Sequence, residues 1–64
     1  MTFCKILKQE TIGPDTVTAY ENYDKFCSIP YYDIVVSRDG IGYMVEKTAK
    51  TTWRRKFRQI TESL

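Results

Sequence analysis

The dipeptide Asp39-Gly40 limits what this chain can fold into more than any other part of it. It lies between Tyr31-Tyr32-Asp33-Ile34-Val35-Val36 and Ile41-Gly42-Tyr43-Met44-Val45-Glu46-Lys47, two runs rich in β-branched and aromatic residues. A type I′ turn needs positive φ at both central residues, and Asp-Gly is one of the few pairs that supplies it. The spacing therefore predicts a tight antiparallel hairpin over 31–36/41–47. With a two-residue loop, Val36 is expected to face Tyr43, Ile34 to face Val45 and Tyr32 to face Lys47. That register makes Tyr32, Ile34, Val36, Tyr43 and Val45 the core side. Tyr31, Asp33, Val35, Ser37, Met44 and Glu46 then form the outer side, with the carboxylates of Asp33 and Glu46 opposed across the ladder. Like charges so placed cost stability unless water or a nearby cation relieves them.

Beyond the hairpin the apolar period changes from two to 3.6. On a helical wheel Ala49, Trp53, Phe57, Ile60 and Leu64 fall within an arc of about 80°. This predicts an amphipathic helix capped by Thr48 or Thr51 and about 24 Å long. Trp53, Phe57, Ile60 and Leu64 are expected to close the core side of the sheet. Lys50, Arg54 and Arg58 recur at helical spacing as a second stripe, while Arg55 and Lys56 project elsewhere. In a helix of that length the cations fall late, where they suit the macrodipole.

The N-terminal half is less regular. Phe3 to Thr11 has the length of a strand without a clean alternation. Gly13-Pro14-Asp15 is a turn, because proline fixes φ and aspartate accepts local backbone hydrogen bonds. Residues 16–27 admit two readings. The threonines and β-branched residues of Thr16-Val17-Thr18-Ala19-Tyr20-Glu21 favour a strand, whereas Val17, Tyr20, Tyr23 and Cys27 would share one face of a helix. Ser28-Ile29-Pro30 interrupts whichever forms. The expected architecture is α+β: one small domain over residues 1–64, with a small antiparallel sheet of about four strands packed against one C-terminal amphipathic helix. A β-α-β-β-α order is the alternative.

A chain of 64 residues with 42% hydrophobic content and nine aromatics has the composition of a folded domain. At this length only about 60% of the unfolded surface is buried, so oligomerisation, a homodimer included, or partner binding would add stability. No run approaches the ~20 apolar residues of a membrane span, and the N-terminus lacks a signal peptide's apolar core. Two cysteines are too few for a secreted scaffold. Together these predict a cytoplasmic protein whose Cys4 and Cys27 are small, buried, reduced side chains.

The absence of histidine removes the usual general base and metal ligand. Cys4 and Cys27 alone do not make a zinc site, and no histidine stands by to activate either thiol. Gly40-Ile41-Gly42 lies between strands, not before a helix, so it is no dinucleotide loop. An enzyme, a metal site and a cofactor are accordingly not expected.

Charge is the informative part of the composition. Residues 1–46 carry four cations against seven anions, and residues 47–64 carry six cations against Glu62 alone. Such asymmetry points to a partner for the basic segment. The reading that follows is a non-enzymatic binding module contacting nucleic acid through Lys50, Arg54, Arg55 and Arg58, with Tyr31 on the outer sheet face available to stack on an unpaired base. The alternative is a regulator or inhibitor that occupies a surface of a larger protein, since tyrosine and arginine are enriched at interface hot spots. The order strand, turn, strand, Lys47–Thr52, helix resembles, over about residues 31–60, the small sheet-plus-helix DNA-binding domains at the N-termini of some integrases. That resemblance implies a sheet entering the major groove on basic strand residues, whereas this chain presents Asp33 and Glu46.

Overall fold

The structure, a computed structural model, describes residues 2–24 and 29–64. Four strands, β1 (Thr2–Ile12), β2 (Asp15–Asp24), β3 (Tyr31–Arg38) and β4 (Ile41–Thr48), precede one helix, α1 (Trp53–Ser63). They form an open antiparallel sheet in the order β1-β2-β3-β4, a plain meander. The fold is thus the α+β arrangement expected of the sequence. Residues 15–24 take the strand alternative, and the remainder of the ambiguous segment, with Cys27 and Ser28, lies outside the described residues. Among the described residues no helix is long and apolar enough to cross a membrane.

Both tight turns follow from their residues. Asp39 and Gly40 have φ of +54° and +79°, the double positive φ of a type I′ turn, which only glycine enters freely. Gly13-Pro14 makes the first turn, with φ of +60° at Gly13 followed by the fixed negative φ of proline.

The core lies wholly on one side of the sheet. Val17 and Ala19 of β2, Tyr32, Ile34 and Val36 of β3, and Trp53 and Phe57 of α1 are buried, with Leu7 and Ile60 packed at their margin. The β2/β3 register sets Val17 against Val36, Ala19 against Ile34 and Glu21 against Tyr32. These rungs build the platform onto which Phe57, 1% exposed, is pressed.

Two irregularities decide which side chains reach that platform. In β1 the register shifts between Ile6 and Lys8, and the extra residue, Leu7, is turned into the core. This bulge is why Phe3 to Thr11 shows no clean alternation. In β4 the shift comes between the Val36 and Ser37 rungs, so that Ser37 pairs with Gly42 but Val36 pairs with Met44, and Tyr43 is the extra residue. At Gly42 a Cβ would come 3.2 Å from Val35 Cγ1, so glycine allows the close approach of β3 at the bulge.

The bulge overturns the predicted register. Ile34 faces Glu46, Val35 faces Val45, and Asp33 faces Lys47. Val45 is therefore on the outer side, 57% exposed, and Tyr43 stays on the helix side but half exposed beyond the helix. Glu46 moves to the helix side, where Lys56 Nζ lies 3.6 Å from its carboxylate. Asp33 and Glu46 thus sit on opposite faces and do not oppose each other. Counting outward from the turn assumed one residue per rung, which a bulge breaks.

The helix is shorter than its apolar period suggested. The carbonyl of Ala49 accepts hydrogen bonds from the N–H groups of Thr52 and Trp53 at 3.1 and 3.0 Å, making a turn of residues 49–52. Thr52 is the N-cap, yet its hydroxyl accepts from the Ala49 N–H at 3.1 Å and makes no capping bond. Ala49 is therefore exposed in the turn, and Leu64, at the C-cap, is 44% exposed. Neither belongs to the core. Cys4 is likewise exposed, as a free thiol on the outer side of edge strand β1, where its pairing with Asn22 points it away from the helix.

This division of the helix predicts a sharp contrast. Phe57→Ala is expected to cost about 3–5 kcal/mol, the loss of a fully buried aromatic plus its cavity, whereas Leu64→Ala should stay within about 0.5 kcal/mol. Urea denaturation of the two variants beside the parent chain measures both.

Candidate functional site

The late helix start relocates the basic residues. Lys50 stands in the turn before α1, while Arg54 and Arg55 occupy the first helical turn. That turn carries no acidic residue, and the last turn carries no basic one. The first-turn amides of a helix lack intrahelical acceptors, and the macrodipole makes that end positive. Arg54 and Arg55 thus add charge where it is least favourable to the fold, the reverse of the placement expected from a longer helix.

Each cation has its own surroundings. The Arg54 guanidinium lies 4.9 Å from the centre of the Trp53 ring, which fixes its stem while leaving it exposed. Arg55 is exposed and takes part in no ion pair among the described residues. Arg58, one turn on, donates from Nε to Glu62 Oε1 at 2.9 Å, an exposed i,i+4 pair of little net strength. Lys50, Arg54 and Arg55 gather at one end of the helix, with Arg58 following. Tyr31 is 43% exposed on the outer face, with the sheet between it and these cations. It does not share their surface.

Two further cations come from β1. Lys5 pairs with Glu21 and Lys8 with Ala19, which puts both on the helix side, and Lys8 Nζ lies 5.1 Å from the centre of the Phe57 ring. Nothing in the spacing of Lys5 and Lys8 announces a shared face, because the Leu7 bulge intervenes. The helix side therefore carries cations on β1 as well as on α1.

The acidic residues of the sheet are largely occupied. Glu21 Oε2 accepts from the Tyr32 hydroxyl at 2.7 Å, and Oε1 accepts from the Tyr23 hydroxyl. These two bonds hold the Glu21 carboxyl below its usual range, assisted by the charges of Lys5 and Lys50. The same bond to Glu21, with burial, pushes the Tyr32 phenol up to about 12.

A second cluster closes the opposite end of the sheet. Asp15, buried, receives Arg38 Nε on Oδ1 at 3.0 Å and Nη2 on Oδ2 at 3.1 Å, and the Tyr43 hydroxyl donates to Oδ1 at 3.0 Å. Arg38 also lies 5.9 Å from the centre of the Tyr43 ring. The guanidinium keeps the Asp15 carboxyl below its ordinary value despite burial, and burial followed by Asp15 raises the Tyr43 phenol. An open concavity of about 450 Å³ beside it is lined by Arg38, Asp39, Ile41 and Tyr43. The bulge makes this cluster, since it aims Tyr43 back across β3 toward β2.

Among the described residues no three His, Cys, Asp or Glu side chains gather as a metal cage. No protein-family model matches the chain, and no curated protein or solved structure was found to be similar to it.

The Glu21–Tyr32 bond predicts two pH limbs of stability. Glu21 binds its proton less tightly folded than unfolded, so its contribution is complete above its unfolded value of 4.5 and is lost as pH falls through the lowered folded value. Tyr32 keeps its proton more tightly when folded, so its contribution is complete below 10.0 and is lost as pH rises toward about 12. Glu21→Gln should flatten part of the alkaline limb, Tyr43 retaining the rest, and part of the acid limb, Asp15 retaining the rest. Urea midpoints at about pH 3, 7 and 11 measure this, and an alkaline limb unchanged in the variant contradicts it.

Proposed function

We propose that the protein is a small non-enzymatic module that binds the phosphate backbone of nucleic acid through the N-terminal end of α1. The observation that carries this reading is the gathering of Lys50, Arg54 and Arg55 around a helix N-terminus. The Trp53 N–H is taken by Ala49, but the amides of Arg54 and Arg55 lack intrahelical acceptors, and with the positive dipole end they favour a phosphate there. Two arginines in a first turn weaken a helix by about 0.3–1 kcal/mol each; Arg54 has the Trp53 ring to offset this, whereas for Arg55 anion binding supplies a reason that its contacts do not. Arg58 extends the cationic surface by a turn, and Lys5 and Lys8 flank it on β1. Contacts of this kind position a backbone without reading its sequence. They also require no chemistry beyond the donors present.

A larger protein as partner is the second reading, favoured by the hairpin tip. Ile41 is 71% exposed and Tyr43 55% exposed beside an arginine anchored at both ends of its guanidinium. That is a preorganised apolar and cationic knob of hot-spot composition.

Four phosphate contacts from Lys50, Arg54, Arg55 and Arg58 would give a log–log salt slope of about −3.6 on duplex DNA. Joint replacement of Arg54 and Arg55 by Ala should reduce the slope by about 1.8 while leaving stability equal or slightly higher, because unfavourable dipole contacts are removed. Fluorescence anisotropy titrations across salt concentrations, paired with urea midpoints, check both. Absence of binding at about 50 mM salt defeats the reading.

A further inference from the structure

One helix covers one face of the sheet, and among the described residues no second element packs on the other face, where Thr18 and Asn22 are buried between their neighbours in the sheet. A single cross-strand row there runs Ile6, Tyr20, Asp33, Lys47. Beside it the apolar surface continues through Val35 and Val45. Ile6 is 55% and Val45 57% exposed, on the two edge strands, with Tyr20 and Val35 half-buried between them. Three large apolar side chains, Tyr31 being the third, are thus open to solvent on three different strands of one face.

We propose that this outer face is a homodimer interface, covered by the same face of a second copy to form a two-sheet sandwich with both helices outside. The first ground is area. The four strands hold 11, 10, 8 and 8 residues, so at about 3.3 Å per residue and 4.8 Å between strands the outer face offers on the order of 600 Å² per copy, the lower end of what specific interfaces bury. The second is charge. Near the centre of this face the charged groups are Asp33 and Lys47, one of each sign on neighbouring strands. Two copies therefore meet here without net repulsion, whereas the cationic helix side would repel itself. Asp33 Oδ2 accepts from Asn22 Nδ2 at 2.9 Å, which holds the carboxylate flat within the face. An isologous contact of this kind closes on itself as a dimer and does not propagate. Strands of the two copies would pack in the aligned manner of sandwiches, about 10 Å apart.

The test is sedimentation equilibrium of the full chain from about 1 to 500 µM, concentrations that span weak to moderate affinities. A reversible dimer of the 7.6 kDa chain is expected. Ile6→Lys and Val45→Lys, each at a position already more than half exposed, should each weaken dimerisation at least tenfold with the far-UV circular dichroism unchanged. Arg55→Glu, on the helix side, should leave dimerisation as it is. A monomer throughout the range overturns the proposal, as does a dimer indifferent to both lysine variants. Binding of a single-stranded oligonucleotide to a monomer, abolished by Tyr31→Ala, would also overturn it by assigning the face another occupant.

Discussion

The packing of Phe57 and Trp53 against Val17, Ala19, Ile34 and Val36 is the contact on which everything else depends. A four-stranded meander has two faces and no layer of its own to bury either, so it needs a second element to exclude water from one of them. The chain brings that element in last, by a turn immediately after β4. Because β2 and β3 are central, their alternate residues receive the helix, while β1 and β4 contribute mainly margins: Leu7 and the Lys8 stem on one flank, Glu46 on the other. The charged residues at those flanks act as edges to the helix. Lys56 reaches Glu46 on β4, and Lys8 lies over the Phe57 ring from β1. The helix is seated by an apolar centre and polar sides.

How much of this could be read from the residues depended on the number of rungs between a landmark and the residue in question. The Asp39-Gly40 turn, the strands on each side of it, and Trp53 and Phe57 as core follow from local chemistry and short periods. The faces of Met44, Val45 and Glu46 do not, because a bulge two rungs from the bend shifts every later residue to the other side. A bulge has no strong signature in a single sequence; Gly42 was its only trace. The same holds in β1, where Leu7 lies between Ile6 and Lys8 and all three defeat a period of two. The helix start failed for a different reason. Ala49 satisfies the apolar wheel, but its carbonyl is already engaged by the turn that carries the chain off the sheet edge, and tertiary geometry outweighs the wheel there. Among the candidate site residues, the helical arginines and Lys50 are legible in the sequence as charges outside the apolar stripe. It could not show that they gather at the positive end of the helix, nor that Tyr31 is screened from them by the sheet.

The charge asymmetry between the two parts of the chain also acquires a meaning that counting could not give. The anions of residues 1–46 are mostly consumed locally: Asp15 by Arg38 and Tyr43, Glu21 by two tyrosine hydroxyls, Asp33 by Asn22, and Glu46 by Lys56. Most of these bonds tie one strand to its neighbour or to the helix, so acidic residues serve as cross-links of the sheet. The cations of the C-terminal segment are less fully engaged. Asp15, Glu21 and Glu46 share the helix side with these cations, so what the net charge of +2 hides is local: Arg54 and Arg55 at the start of the helix take part in no ion pair among the described residues.

The two faces of the sheet are consequently different surfaces in kind. The helix side is charged and polar at its periphery, and a polyanion can approach it without displacing packed groups. The outer face carries Asp33 and Lys47 as a charge pair on neighbouring strands and exposed Ile6, Tyr31 and Val45; what suits it is a flat, dehydrating contact. One occupant could not serve both, because the sheet itself stands between them. In a face-to-face dimer the cationic helices would point in opposite directions, away from the interface, so each copy would engage its own segment of a polyanion. Dimerisation would then raise apparent affinity through the second site's effective concentration, without requiring a longer footprint on either segment. A chain this short has little interior to devote to a pocket, and opposing two unlike surfaces across one sheet is how it would obtain two separate uses from a single core.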